Sequence, residues 1–270
     1  MRRSAALSIL FGFCLALVAC SGREANEQAA AEPAALAIPS PLPAPIQAAL
    51  DDPRRAMHRG ADQRRHPGEL IAASGLKAGD RVLDLIPGDG YWTRLFSRIV
   101  GREGRVYAVW PKNYADVAQG NVATLRQLAA SPDYPNLSVE VQPSPILSAP
   151  EPLDMVWTVQ TYHDYPDEFM GRIDPAQLNR AVFGMLKPGG TFFIVDHAAE
   201  PGAGMRDTER LHRIDPAVVR RQVEAVGFEY VGASDVLRNP ADDHRLPVFD
   251  PRIRGRTDQF VMRFRKPAGR

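Results

Sequence analysis

Residues 82–93 read Val-Leu-Asp-Leu-Ile-Pro-Gly-Asp-Gly-Tyr-Trp-Thr. An apolar run carrying one carboxylate, Asp84, enters a Gly88-Asp89-Gly90 turn, and a helix-like stretch follows over 90–100. Glycine lets backbone approach a ligand, and a helix start offers free N–H groups and a favourable field for an anion. Strand, turn and helix in this order hold nucleotide-type cofactors. Ile86 and Pro87 stand where such loops usually carry glycine and a small residue. Pro87 stiffens the turn and leaves Gly88 and Gly90 available for close approach.

Outward from this turn the pattern alternates. Helix-like segments are expected at 67–75, 90–100, 113–130, 175–186 and 216–226. Strand-like segments are expected at 81–86, 105–110, 137–142, 154–160, 191–196, 229–236 and 259–265. The early strands are short, apolar and β-branched, as burial on both faces requires. Leu186-Lys187-Pro188-Gly189-Gly190 is a helix stop and turn, and Asp215-Pro216 is a helix cap with a first-turn proline. Such alternation predicts an α/β fold with a mostly parallel sheet covered on both faces. The last two strands follow a long connection without a clear helix, and an antiparallel pairing is open to them.

The N-terminus is of a different kind. Met1-Arg2-Arg3 precedes an almost purely apolar run over 5–19, which is too short for a good membrane span and has the form of a signal peptide. It ends in Leu17-Val18-Ala19-Cys20, which resembles the lipobox of bacterial lipoproteins. That resemblance implies cleavage after residue 19, lipidation of Cys20 and a membrane anchor, with ordinary cleavage as the alternative. The expected location is the cell envelope, on the periplasm-facing outer membrane. Residues 20–47 are rich in Ala, Glu and Pro and read as a tether, leaving a domain over 48–270. The two cysteines are Cys14 and Cys20, so the mature domain has no thiol for a disulfide, a metal or a nucleophile. A net charge of +1 gives no electrostatic footprint for nucleic acid.

The strand–GDG–helix unit, the Leu-Lys-Pro-Gly-Gly-Thr stretch before the fifth strand and seven strands in this order resemble the class I S-adenosylmethionine-dependent methyltransferases. Further stretches narrow the likeness: Arg64-Arg65-His66-Pro67, Pro87-Gly88-Asp89-Gly90-Tyr91-Trp92-Thr93, 211–216, 234–240 and 249–261. Together they are similar to a family of exported bacterial proteins known mainly as predicted methyltransferases, over about residues 51–267. The resemblance implies a doubly wound, Rossmann-like seven-stranded sheet of the class I methyltransferase type. It also implies S-adenosylmethionine as cofactor and a small or medium molecule as methyl acceptor.

Open parallel sheets bind ligands outside the carboxyl ends of their strands. The resemblance places the cofactor against Asp84, Pro87, Gly88, Asp89, Gly90 and Tyr91, with Asp84 serving its ammonium group. After the second strand, where the family usually has an acid for the ribose diol, stands Trp110, able to stack on adenine but not to accept those hydrogen bonds. Asn113 is a partial substitute. Gln160 and Tyr162 follow the fourth strand as further cofactor contacts. If the fourth and fifth strands are neighbours, His163, Asp164, Asp196 and His197 converge, with His212 and Asp215 on the next loop. These four are the expected catalytic residues, with His163 or His197 as general base. Three functions fit: methyl transfer, a non-catalytic envelope lipoprotein reusing the fold for ligand or partner binding, and a metal-assisted enzyme using the His/Asp cluster. His66, ahead of the first of these helices, and the Arg252, Arg254, Arg256 loop stand nearby, the latter able to meet an anionic substrate or a lipid headgroup.

Overall fold

All seven expected strands occur in a computed structural model, which describes residues 34–269. They are β1 (Arg81–Leu85), β2 (Arg105–Pro111), β3 (Leu137–Gln142), β4 (Leu153–Val159), β5 (Leu186–His197), β6 (Glu229–Ser234) and β7 (Gln259–Arg265). They form one sheet in the order β3-β2-β1-β4-β5-β7-β6. The first five run parallel, and β7 inserts antiparallel between β5 and β6. The chain order reverses between β1 and β4, and that switch point fixes where the crevice lies.

Helices cover the sheet. They are α1 (Ala44–Asp51), α2 (Asp62–Arg65), α3 (Pro67–Ser74), α4 (Tyr91–Val100), α5 (Lys112–Val117), α6 (Gln119–Ala129), α7 (Pro175–Met185), α8 (Thr208–Leu211) and α9 (Pro216–Glu224). Among the described residues none is long and apolar enough to cross a membrane. Asp174 and Asp215 cap α7 and α9 by accepting from Ala176 N and Ala217 N, each 2.9 Å away. The helix expected over 113–130 is two helices that break at Ala118 (φ −119°). The centre of the sheet is aromatic, with Trp157 stacked on Phe193 at 4.4 Å and tilted against Trp92 at 5.1 Å.

Order begins before residue 48. Leu36 N donates to Ala233 O at 2.7 Å, and Ala35 bridges Ala233 alongside β6. A Cβ on Gly232 would collide with the Ala34 carbonyl. The segment thereby covers the free edge of the sheet, which would otherwise present unpaired backbone groups. The Pro-rich run expected as tether then enters α1, because Pro45 falls in its first turn, where a helix needs no N–H. Ile46 and Ala49 are buried. The signal peptide over 1–19, Cys20 and the tether up to residue 33 lie outside the described residues.

The 235–258 connection, which carries the Asp-Pro-Arg-Ile-Arg-Gly-Arg stretch at 250–256, is pinned from below. Arg213, fully buried, pairs with Asp242 at 2.8 Å and donates to Ala198 O and Leu246 O. Asp258 accepts from Arg238, His244 and Asn239 N. Removing one partner of a buried ion pair leaves a bare charge inside. Arg213→Ala is therefore expected to cost about 3–5 kcal/mol in urea denaturation. Arg252→Ala, which breaks an exposed pair with Asp250 in the same loop, should leave the midpoint almost unmoved.

Candidate functional site

A cavity of about 650 Å³ opens outside the carboxyl ends of β1 and β4, within the range of small-molecule and cofactor sites. One wall is the β1 turn, from Asp84 and Ile86 to Asp89. Ile86 has φ 57°, a left-handed backbone that a β-branched residue rarely adopts. That is the position where glycine was expected, and the structure shows why glycine suits it. Gly88 (φ 61°) has nothing within 4 Å of where a Cβ would lie, so it leaves the turn open to the cavity. Gly90 (φ 84°) is different: a Cβ there would strike Leu125 of α6 and Arg94. Gly90 is needed for helix packing and does not line the cavity.

Asp84 lies at the cavity floor, 2% exposed. It accepts one hydrogen bond from Thr93 Oγ1 at 2.6 Å. Burial pushes its carboxyl up to about 7, and the Thr93 bond offsets only part of this. A carboxylate held in that condition gains from any cation placed against it.

The opposite wall follows β4. Gln160 takes φ 60°, and its Nε2 donates to Gln259 Oε1 at 2.9 Å. Beyond it, the expected cluster does assemble. Asp196 Oδ1 accepts from His163 Nδ1 at 2.7 Å and from His197 N at 2.7 Å, and its Oδ2 accepts from His163 N at 2.9 Å. His163 Nε2 lies 3.1 Å from Asp164 Oδ1, and His212 Nδ1 lies 3.6 Å from the same oxygen. Burial disfavours charge on His163, but the Asp196 and Asp164 carboxylates outweigh it and hold the imidazole up at about 10. Without a metal, His163 thus carries both protons at neutral pH and has no lone pair to offer as a base. Burial also pushes Asp164 up, and its hydrogen bonds with His163 and His212 bring it below the usual carboxylate range.

His197 has the opposite character. Burial, with the His163 and Arg213 charges nearby, holds it well below the usual imidazole value. Its Nδ1 meets Thr257 Oγ1 at 2.8 Å, and no hydrogen bond engages Nε2 among the described residues. His197 lines both the main cavity and an adjoining chamber of about 230 Å³. Of the two expected bases, the neutral imidazole facing open space is His197.

Several expected contacts lie elsewhere. Trp110 is fully buried against Tyr114 and is off the cavity wall, because its strand position turns it into the core. Asn113 donates to Met170 O at 2.7 Å and is spent on that loop. Tyr162 is buried with its hydroxyl against Asn179 and Gln222, and Tyr91 gives its hydroxyl to Asp62 at 2.6 Å. Asp215 is a helix cap that also accepts from Gly202 N. His66 faces Glu69 at 3.3 Å. Residues given no site role by the sequence take their places: Tyr114, Asn121, Phe169, Val248 and Phe249 line the cavity, and Arg65 stands where cavity and chamber meet. Arg65 lies over the Tyr91 ring, 4.4 Å from its centroid, and has no ion-pair partner among the described residues.

The raised Asp84 gives a signed pH effect. The native state keeps a proton on Asp84 that the unfolded chain loses near pH 4, so the contribution of Asp84 to native stability falls as pH rises from about 4 to about 7 and is level above that. The drop is on the order of 4 kcal/mol, at about 1.4 kcal/mol per pH unit. Asp84→Asn keeps a partner for Thr93 and removes the ionisation. Urea melts at pH 5 and pH 8 should show the variant gaining on the wild type at the higher pH.

Scanned against protein-family models the chain matches none, and no curated protein matches it. Solved structures do. SpnF, a [4+2]-cyclase, is 18% identical over 80% of this chain and 82% of its own, with a TM-score of 0.56. The YcgJ protein of Bacillus subtilis is 16% identical over 78% of this chain and 100% of its own, with a TM-score of 0.51. An arsenic(III) S-adenosylmethionine methyltransferase from Chlamydomonas reinhardtii is 18% identical over 84% of this chain and 74% of its own, with a TM-score of 0.50. At such identities the likeness is one of fold, and the strand order agrees with it: this is the Rossmann-like fold of the class I methyltransferases.

Proposed function

We propose that the protein is an S-adenosylmethionine-dependent methyltransferase acting on a small or medium acceptor. The observation that carries this is the cavity at the β1/β4 switch point, with Asp84 at its floor and the open Gly88 turn on its wall. The donor set fits the methionine end of the cofactor: Asp84 for the ammonium, and the Pro87–Gly88–Asp89 backbone with the start of α4 for the carboxylate. At the ribose end the cavity offers Asn121 and no carboxylate, so the diol is less well served. When bound, the cofactor supplies a methyl group on a sulfonium centre.

The chain's own part is positioning and proton handling. Holding two reactants in line is worth several kcal/mol without covalent help from protein. The 230 Å³ chamber beside the cavity suits the acceptor. Its wall carries Arg64, Arg65 and Arg254 and no carboxylate, which favours an acceptor bearing an anionic group. His197 Nε2 takes the acceptor's proton, with the ring oriented by Thr257 through Nδ1.

Calorimetry of the full chain with S-adenosylmethionine and S-adenosylhomocysteine tests the reading. Saturable heat is expected from both, weakened at least tenfold by Asp84→Asn. The absence of heat at millimolar ligand would instead favour the non-catalytic binding protein, a reading that the missing ribose acid supports. We propose the cell envelope as the protein's location, a reading supported by the signal-peptide form of residues 5–19 and the lipobox-like stretch that ends at Cys20. Metabolic labelling with a radioactive fatty acid should mark the wild type and leave Cys20→Ala unlabelled.

A further inference from the structure

His163, Asp164 and His212 each place one ligand atom on the wall of the same cavity, and these atoms all lie within 4.8 Å of one another. Two of the separations are 3.1 Å from His163 Nε2 to Asp164 Oδ1 and 3.6 Å from His212 Nδ1 to that oxygen. Ligands bound to one ion at about 2.0–2.1 Å stand roughly 3.0–3.4 Å apart. The two pairs that share Asp164 therefore need only a small contraction. His212 can supply it, because its Nδ1 already faces Asp164 and its ring is packed edge-on against Phe249 at 4.9 Å.

Two further observations point the same way. His163 Nδ1 is held by the Asp196 carboxylate at 2.7 Å, the outer-shell arrangement that fixes a ligating histidine and leaves its Nε2 toward the ion. Asp167, three residues beyond Asp164 and joined to it through Asp167 N and Asp164 O at 3.0 Å, is 1% exposed. Neither of its carboxylate oxygens has a hydrogen-bond partner among the described residues. A buried carboxyl group without a partner gains from a cation placed nearby.

We propose that His163 Nε2, Asp164 Oδ1 and His212 Nδ1 form a binding site for one divalent transition-metal ion, with its open coordination positions toward the cavity. Two imidazoles and one carboxylate select an ion of the zinc, cobalt, nickel or iron(II) kind over magnesium or calcium. The ion takes the place of the proton now shared between His163 and Asp164. The site stands without the methyltransferase reading. Its role does rest on that reading: the open positions hold the oxygen or nitrogen of the acceptor beside His197.

The test uses the full chain, stripped with a chelator and titrated with Co²⁺, followed by visible absorption and calorimetry. One Co²⁺ per chain with ligand-field bands is expected, and Mg²⁺ in excess should not displace it. His212→Gly, which suits the φ of 54° at that residue, should lower Co²⁺ affinity by at least tenfold with unchanged circular dichroism. Asp164→Asn should do the same. A folded chain that takes up no Co²⁺, or equal uptake by His212→Gly, overturns the site. S-adenosylmethionine titrated into the same samples separates the two readings. Heat from the cofactor without Co²⁺ uptake removes the metal alone, and Co²⁺ uptake without cofactor heat leaves the metal site and removes methyl transfer.

Discussion

One carboxylate, Asp196 at the end of β5, holds the site together. It is fully buried and accepts three hydrogen bonds, two from backbone N–H groups and one from His163 Nδ1. A buried carboxylate without partners would cost several kcal/mol. Here the donors come from two different strand ends, so the cost is offset only when both are in place. The chain leaving β4 is therefore tied to β5 at residue 163, and His163 has one orientation. Asp164, whose carboxylate faces His163 and His212, is placed by the same bond one residue on. The separation of roles between His163 and His197 follows as well: one ring is locked between two carboxylates, and the other is left to Thr257 and open space.

The crevice itself has a backbone origin. Ile86 N donates to Val109 O of β2, and Gln160 N donates to Val195 O of β5. At the switch point the residues after the two central strands thus bond outward, away from each other. The β1–β4 pairing ends at Leu85 and Thr158, and the seam between the two chains is left unfilled. Both residues take a left-handed backbone to do this, at a cost on the order of 1–3 kcal/mol each. Strain of that size in a non-glycine residue persists only where surrounding bonds fix it, and the burial of Ile86 shows that packing does so here.

The sheet was legible because its signals are local. Period, β-branching, glycine turns and aspartate caps placed seven strands and five helices to within a few residues, apart from the break at Ala118 and the early start of β5. The N-terminal cover was misread because prolines in a first turn look the same, in sequence, as prolines in a tether; only the burial of Ile46 and Ala49 separates them. At the site, strand-end logic placed His163, Asp164, Asp196 and His197 beside one another, as the structure has them. It failed for Trp110 and Tyr162, since proximity to a strand end does not say which way a side chain turns. Phe249 and Val248 were beyond reach for a further reason. Their position depends on Arg213 and Asp242, a pair 29 residues apart that fixes a loop with no regular structure.

Asp84 shows how the two halves of the site differ in what they require. On the β4/β5 side the carboxylates of Asp164 and Asp196 meet imidazoles and backbone donors within the chain, and these groups stabilise each other as a network. The β1 side has no such network. Among the described residues Asp84 has a single donor, Thr93, whose bond offsets only part of the effect of burial on its protonation. A core position of this kind would be filled more stably by an apolar or amide side chain. Next to an open glycine turn, Asp84 is placed to take a further donor from outside the chain. A ligand that brings a positive charge to Asp84 restores the carboxylate and removes the penalty. The protein's stability and its occupancy are then linked through the same buried group.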